Sequence, residues 1–136
     1  MEQITVKTTI GVSIEKVWQY WTEPEHIQKW CHASDDWHAP SATNDLNVGG
    51  TFSTRMESVD GSEGFDFNGT YTHIVPYGKI EYTIEGGRRV EIEFINTDNQ
   101  CTIIETFDPE NENTTEAQQQ GWQAILDNFK KYVDNN

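Results

Sequence analysis

Hydrophobic and polar residues alternate along most of this chain, and the period lengthens to that of a helix near both ends. The longest helical pattern is the last. From Asn113 to Val133, the residues Ala117, Gly121, Trp122, Ile125, Phe129, Tyr132 and Val133 recur every three or four positions. Gln118, Gln119, Asp127, Lys130 and Lys131 fall elsewhere on the wheel, as a half-buried helix requires. The spacing predicts one amphipathic helix with Asn113 capping its first turn and Glu116 reaching back toward that cap. Two large aromatics on its apolar stripe require a broad partner surface.

The preceding residues supply that surface as short strands. Ile4, Val6 and Ile10 alternate with Gln3, Thr5 and Lys7, and Gly11 ends the run. Ser13 then caps a helix carrying Ile14, Val17, Trp18 and Trp21, which Pro24 stops. A shorter helical piece, Glu25 to Cys31, places Ile27 and Trp30 on one side. His32 to Thr43 reads as irregular, with Trp37 and Pro40 inside it. Strand patterns resume with Phe52, Thr54 and Met56 on one face. A long strand follows with Phe65, Phe67, Gly69, Tyr71, His73 and Val75 all pointing one way. Ile80, Tyr82 and Ile84, then Val90, Ile92 and Phe94, then Cys101, Ile103, Glu105 and Phe107 mark three more inward faces. Gly86-Gly87 and Asp98-Asn99 are hairpin turns. The order predicts a single α+β domain over residues 1–136: an antiparallel sheet of about six or seven strands, two short helices after the first strand, and a long C-terminal helix.

Composition narrows the partners. Net charge is -14, from 23 acids against nine Lys and Arg, which repels nucleic-acid phosphates and anionic membrane surfaces. No basic-then-apolar leader opens the chain and no apolar run reaches spanning length, so a cytoplasmic location with Cys31 and Cys101 reduced is expected. Five Trp, five Tyr and six Phe supply large apolar area for a core or a pocket wall.

Several stretches, taken in order, resemble a known family. They are Val17-Trp18-Gln19-Tyr20-Trp21-Thr22 with Ile27-Gln28-Lys29-Trp30, Asp45-Leu46-Asn47-Val48-Gly49-Gly50-Thr51-Phe52, Gly64-Phe65-Asp66-Phe67-Asn68-Gly69-Thr70-Tyr71, Ile80-Glu81-Tyr82, and Gln120-Gly121-Trp122 through Phe129. Together they resemble the START-like, or SRPBCC, superfamily with its helix-grip fold, in the branch named for the activator of the 90-kDa heat-shock protein ATPase. The resemblance implies a curved sheet wrapped around the last helix, with a cavity between them that in relatives receives lipids, hormones or polyketide-like molecules. It implies no single reaction, because that cavity serves binders, cyclases and co-chaperones alike. The resemblance implies a separate domain before this module in true activators, and a protein without that domain is expected here.

Candidate chemistry is sparse. His26, Cys31, His32 and His38 lie close in sequence with Asp35 and Asp36, but no pair has a recognised zinc-ligand spacing, so neither metal nor cofactor is expected. His73, sharing a face with Tyr71 and aromatic neighbours, is the candidate acid or base, with Tyr71 and Glu105 beside it. No nucleophile elbow, zinc-protease motif, phosphate loop or dinucleotide fingerprint is present. The expected function is binding of a small apolar or aromatic ligand by Trp18, Trp21, Trp37, Phe52, Met56, Phe65, Phe67, Tyr71, His73, Tyr82, Phe94, Trp122 and Phe129. Trp37 is the expected lid, in a loop overhanging the cavity. A cyclase or hydrolase working through His73, and a co-chaperone or interaction module, are the alternatives, in a monomer or homodimer.

Overall fold

The alternating segments pair into one antiparallel sheet. A computed structural model of the chain describes residues 2–136. Its strands are β1 (Ile4–Ile10), β2 (Trp37–Asn44), β3 (Thr51–Ser58), β4 (Gly64–Val75), β5 (Lys79–Ile84), β6 (Arg88–Thr97) and β7 (Gln100–Phe107), in spatial order β1-β7-β6-β5-β4-β3-β2. Two short helices, α1 (Ile14–Thr22) and α2 (Pro24–Trp30), carry the chain from β1 to the far edge at β2. From there it returns strand by strand, so β7 closes beside β1, with Ile4 opposite Phe107 and Ile10 opposite Cys101. The sheet curves as a half-barrel around α3 (Thr115–Asp134).

Burial follows the alternation. Val6, Ile10, Val90, Ile92, Cys101, Ile103 and Phe107 are almost fully buried on the sheet's inner face, and Leu126, Phe129 and Val133 meet them from α3. Phe129 sits between Trp21 and Trp30, with ring centroids 4.9 and 4.8 Å away, so the two short helices and α3 share one aromatic cluster. Aromatic pairs at these separations add to the apolar area they bury.

Local chemistry differs from expectation at four places. Thr114, not Asn113, caps α3: its hydroxyl accepts from the Ala117 backbone N–H at 3.0 Å. Asn113 instead donates through backbone and side chain to the Glu110 carboxylate. Ser13 occupies the cap position of α1 without a side-chain capping bond, and Pro24 opens α2 at its first turn rather than merely ending α1. Gly86 and Gly87, both at positive φ, belong to a single 3-10 turn, Glu85–Gly87, between Ile84 and Arg88.

The segment expected to be irregular contains a strand. Only the stretch between Trp30 and Trp37 is a loop, and Trp37–Asn44 pairs with β3 as the edge strand β2. Its register shifts between His38 and Ser41, where Pro40 sits. An edge strand tolerates a residue without an N–H at such an irregularity. Lacking the apolar alternation of the central strands, β2 left no period to recognise.

Candidate functional site

A pocket of about 520 Å³ lies between the N-terminal half of α3 and the strands β3 to β5. Local sequence explains its space. Gly121 faces it from α3, and a methyl group built there meets nothing within 4 Å. Trp122, the next residue, stacks on Phe107 with centroids 3.9 Å apart and planes 13° from parallel. That stack turns the indole against the sheet while Phe67 meets it edge-on at 5.9 Å. On the other side Phe52 packs edge-on against Tyr82 at 4.7 Å and beside Tyr71 at 5.3 Å. Gly69 makes room for Phe52: a Cβ there meets the Phe52 ring at 2.8 Å and the Thr83 carbonyl at 2.6 Å. The walls are therefore held by ring-on-ring packing, and the exposed lining residues Phe65, Asn113 and Ala117 mark the rim.

The structure gathers eight of the thirteen expected ligand residues: Trp21, Phe52, Met56, Phe65, Phe67, Tyr71, Tyr82 and Trp122 line the pocket. Trp18 and Phe94 instead pack against each other at 5.3 Å in the core beyond it, and Phe129 is sealed within the helix cluster. Trp37 is half-buried at the start of β2, 5.9 Å from Phe65 and outside the lining. It packs beside Phe65 at the rim from a strand paired into the sheet, not from an overhanging loop. The short loop before β2 borders a shallower surface hollow through His32 to Asp35.

His73 requires a larger correction. It lies on the exposed face of β4, opposite Glu81. Tyr71 pairs with Tyr82 but His73 pairs with Glu81, so two steps on β4 match one on β5. This bulge shifts the alternation by one residue and sends Ile74, opposite Ile80, inward in place of His73. The other histidines are likewise dispersed. His26 stacks on Tyr20 at 4.0 Å and bonds the Tyr132 hydroxyl through Nδ1 at 2.7 Å. His38 stands 3.9 Å from Glu57, and His32 meets Asn128 at 3.1 Å.

Polar groups in the pocket divide into engaged and free. The Tyr71 hydroxyl donates to Asn44 Oδ1 at 2.5 Å, and Asn44 in turn donates to the Thr22 carbonyl at 2.7 Å. Burial pushes that phenol's pKa upward. At the rim, Arg88 donates through Nε to the Asp108 carbonyl at 3.0 Å. Buried Gln118 accepts from the Glu110 N–H at 2.9 Å and donates to the Glu110 and Asn113 carbonyls. It pins the loop before α3, a role its place on the expected polar face concealed. Arg55, on the outer face, pairs with Glu57 at 2.9 Å and Asp66 at 3.5 Å.

Glu105 differs from these. As the alternation of β7 required, it points inward, is 6% exposed and lines the pocket, with no hydrogen-bond partner among the described residues. Burial pushes its carboxyl up to about 8. Burial and the nearby Glu105 raise the Cys31 thiol to about 12, which keeps it protonated and unreactive. Burial first and Glu105 second push the Tyr82 phenol up as well. The pocket thus combines aromatic walls, a protonated thiol and one unpaired carboxyl. With His73 outside, the expected acid–base constellation of His73, Tyr71 and Glu105 does not form.

A sheet half-wrapped around a C-terminal helix, with a pocket between them, defines the START-like helix-grip class. The family model described as "Activator of Hsp90 ATPase homolog 1-like protein" matches residues 11–134, and the chain belongs to this family. Two solved structures show the likeness in full. The AHSA1-like protein from Aeromonas hydrophila is 41% identical, with a TM-score of 0.92 over 98% of this chain and 92% of that one. A protein from Cytophaga hutchinsonii is 54% identical, with a TM-score of 0.84 over 98% and 93%. A relative from Colwellia psychrerythraea, solved as a dimer, shares the fold at 19% identity and a TM-score of 0.74, covering 98% of this chain and 96% of its own. No curated protein matches. Among the described residues no helix is long and apolar enough to cross a membrane.

Proposed function

We propose that this protein is a non-catalytic binder of small apolar or aromatic molecules, held between α3 and the sheet. The observation that carries the reading is the 520 Å³ pocket with walls of Trp21, Phe52, Phe67, Tyr71, Tyr82 and Trp122. Pockets of this size bury most of a small ligand, and aromatic walls with few polar groups select for flat apolar bodies. The set offers no activated nucleophile and no nucleophile–base pair of the kind covalent catalysis needs. We take the protein to be cytoplasmic and a monomer or homodimer, with size-exclusion chromatography as the check on assembly.

Native mass spectrometry of the purified protein, followed by titration with a panel of aromatic and aliphatic compounds watched through Trp fluorescence, tests the reading. Trp21, Trp30 and Trp122 all line the pocket, so occupancy should change emission and raise the melting temperature. A panel that shifts neither signal overturns it. The family description favours a second reading, activation of a chaperone ATPase. A chaperone of that class whose ATPase rate rises on adding this protein would replace ligand binding as the primary role.

A further inference from the structure

Glu105 occupies a position where packing alone calls for an apolar residue. On β7 it pairs with Val6 of β1 and Ile92 of β6, both almost fully buried, and its neighbours on the same face of the strand are Ile103 and Phe107. An ionised acid there is costly to bury, and no donor among the described residues reaches it. Its side chain borders the pocket, so the missing partner has room to arrive as part of a ligand.

Three features say what kind of partner fits. A carboxylate calls for a donor, most strongly a cationic one. The surrounding walls, Phe52, Phe67, Tyr82 and Trp122, present aromatic rings, whose faces attract cations, the more so when water is excluded. The chain's net charge of -14 draws cations toward the molecule and disfavours anions. Arg88, the cation at the rim, is held by the Asp108 carbonyl. Resting on the reading of this pocket as a ligand site, we propose that its ligand is an aromatic or hydrophobic amine whose protonated nitrogen pairs with the Glu105 carboxylate inside the aromatic walls.

The pairing has a pH signature. Cys31 after α2 and Tyr82 on β5 sense Glu105 directly. Tyr71 on β4, Arg88 on β6 and Glu110 before α3 also line the pocket, with Arg88 on the Asp108 carbonyl and the Glu110 carboxylate accepting from Asn113, while β1 and β6 place Val6 and Ile92 opposite Glu105. Burial raises Cys31, Tyr71 and Tyr82 above their ordinary values, so all three stay neutral at physiological pH. Glu105, its carboxyl pushed up to about 8 by burial, is the deeply buried acid whose charge changes near neutral pH. Below that pH an ammonium ligand must displace the carboxyl proton, so its affinity rises roughly tenfold per pH unit until the carboxyl is ionised.

Isothermal titration of the full chain with phenylbutylamine, phenylbutanol and phenylbutanoate, between about pH 6 and pH 9, tests the proposal. The amine should bind at least tenfold more tightly than the alcohol near pH 8, with the carboxylate weakest and the amine's affinity rising with pH. In Glu105→Gln the ratio of amine to alcohol affinity should fall to near one. Equal binding of amine and alcohol by the wild type overturns the proposal and leaves the pocket reading standing. Amine affinity that falls with rising pH does the same, since it assigns Glu105 as a neutral donor to a ligand acceptor. Failure of all three probes overturns both. Should Glu105→Gln not fold, the wild-type pH profile decides the question alone.

Discussion

Glu105→Gln should change how stability depends on pH, in a direction set by the environment of one carboxyl. The group's pKa is about 8 in the folded chain against an ordinary 4.5. The folded state thus holds this proton more tightly than the unfolded state does. Its contribution is fully present below about pH 4.5 and is lost as the pH rises toward 8, because folding must then bury a charge that the unfolded chain keeps in water. Each pH unit of difference corresponds to about 1.4 kcal/mol. Between pH 5 and pH 9 the wild type should therefore lose about 4 kcal/mol relative to Glu105→Gln, less whatever water entering the pocket returns. Glutamine keeps the shape and removes the titration, while the other acids titrate alike in both proteins and cancel. Urea unfolding at pH 5, 7 and 9, followed by far-UV circular dichroism, measures the difference directly. Parallel stability profiles would refute the reasoning, since they require Glu105 to ionise as freely in the folded chain as in the unfolded one.

Four further outcomes are expected. Trp122→Ala should destabilise by roughly 2 to 3 kcal/mol in chemical unfolding, at the lower end for an indole because Trp122 is half-buried while stacked on Phe107; an unchanged midpoint would show that the stack bears no weight. Gly121→Ala should stabilise by about 0.5 to 1 kcal/mol through helix propensity, since the new methyl group meets nothing within 4 Å, and should weaken ligand binding by filling the pocket; stabilisation without a change in binding would separate Gly121 from the ligand. Trp37→Ala should lower stability by about 1 to 2 kcal/mol, as loss of a half-buried edge-strand contact does, with ligand affinity within twofold of wild type by fluorescence titration. His73→Ala, on the exposed face of β4, should alter stability by less than about 0.5 kcal/mol and leave ligand binding as it was; a binding defect would return His73 to the site.

The particular residues show where sequence periodicity carries information and where it stops. Alternation along β1, β3, β6 and β7 identified the inward positions, Glu105 among them, because those strands are regular and one face is buried throughout. The stripe on α3 was equally legible: Leu126, Phe129 and Val133 are buried, and the cap lies one residue from the expected position. His73 was misplaced because one bulge reverses every side chain beyond it, and a bulge is decided by the partner strand. β2 was invisible because an edge strand with mixed polarity on both faces carries no period.

The division of the aromatics was decided by tertiary structure alone. Trp18, Phe94 and Phe129 became core while Phe52, Phe67, Tyr82 and Trp122 became wall, although all occupy inward positions of similar pattern. Trp18, Phe94 and Phe129 are covered by rings from other elements, and no local period encodes which distant elements meet. The same holds for Glu105: its inward direction follows from the two-residue repeat of β7, whereas its lack of a partner depends on what every other element brings to the space in front of it. Direction is a local property of the backbone, and company is a property of the packed whole.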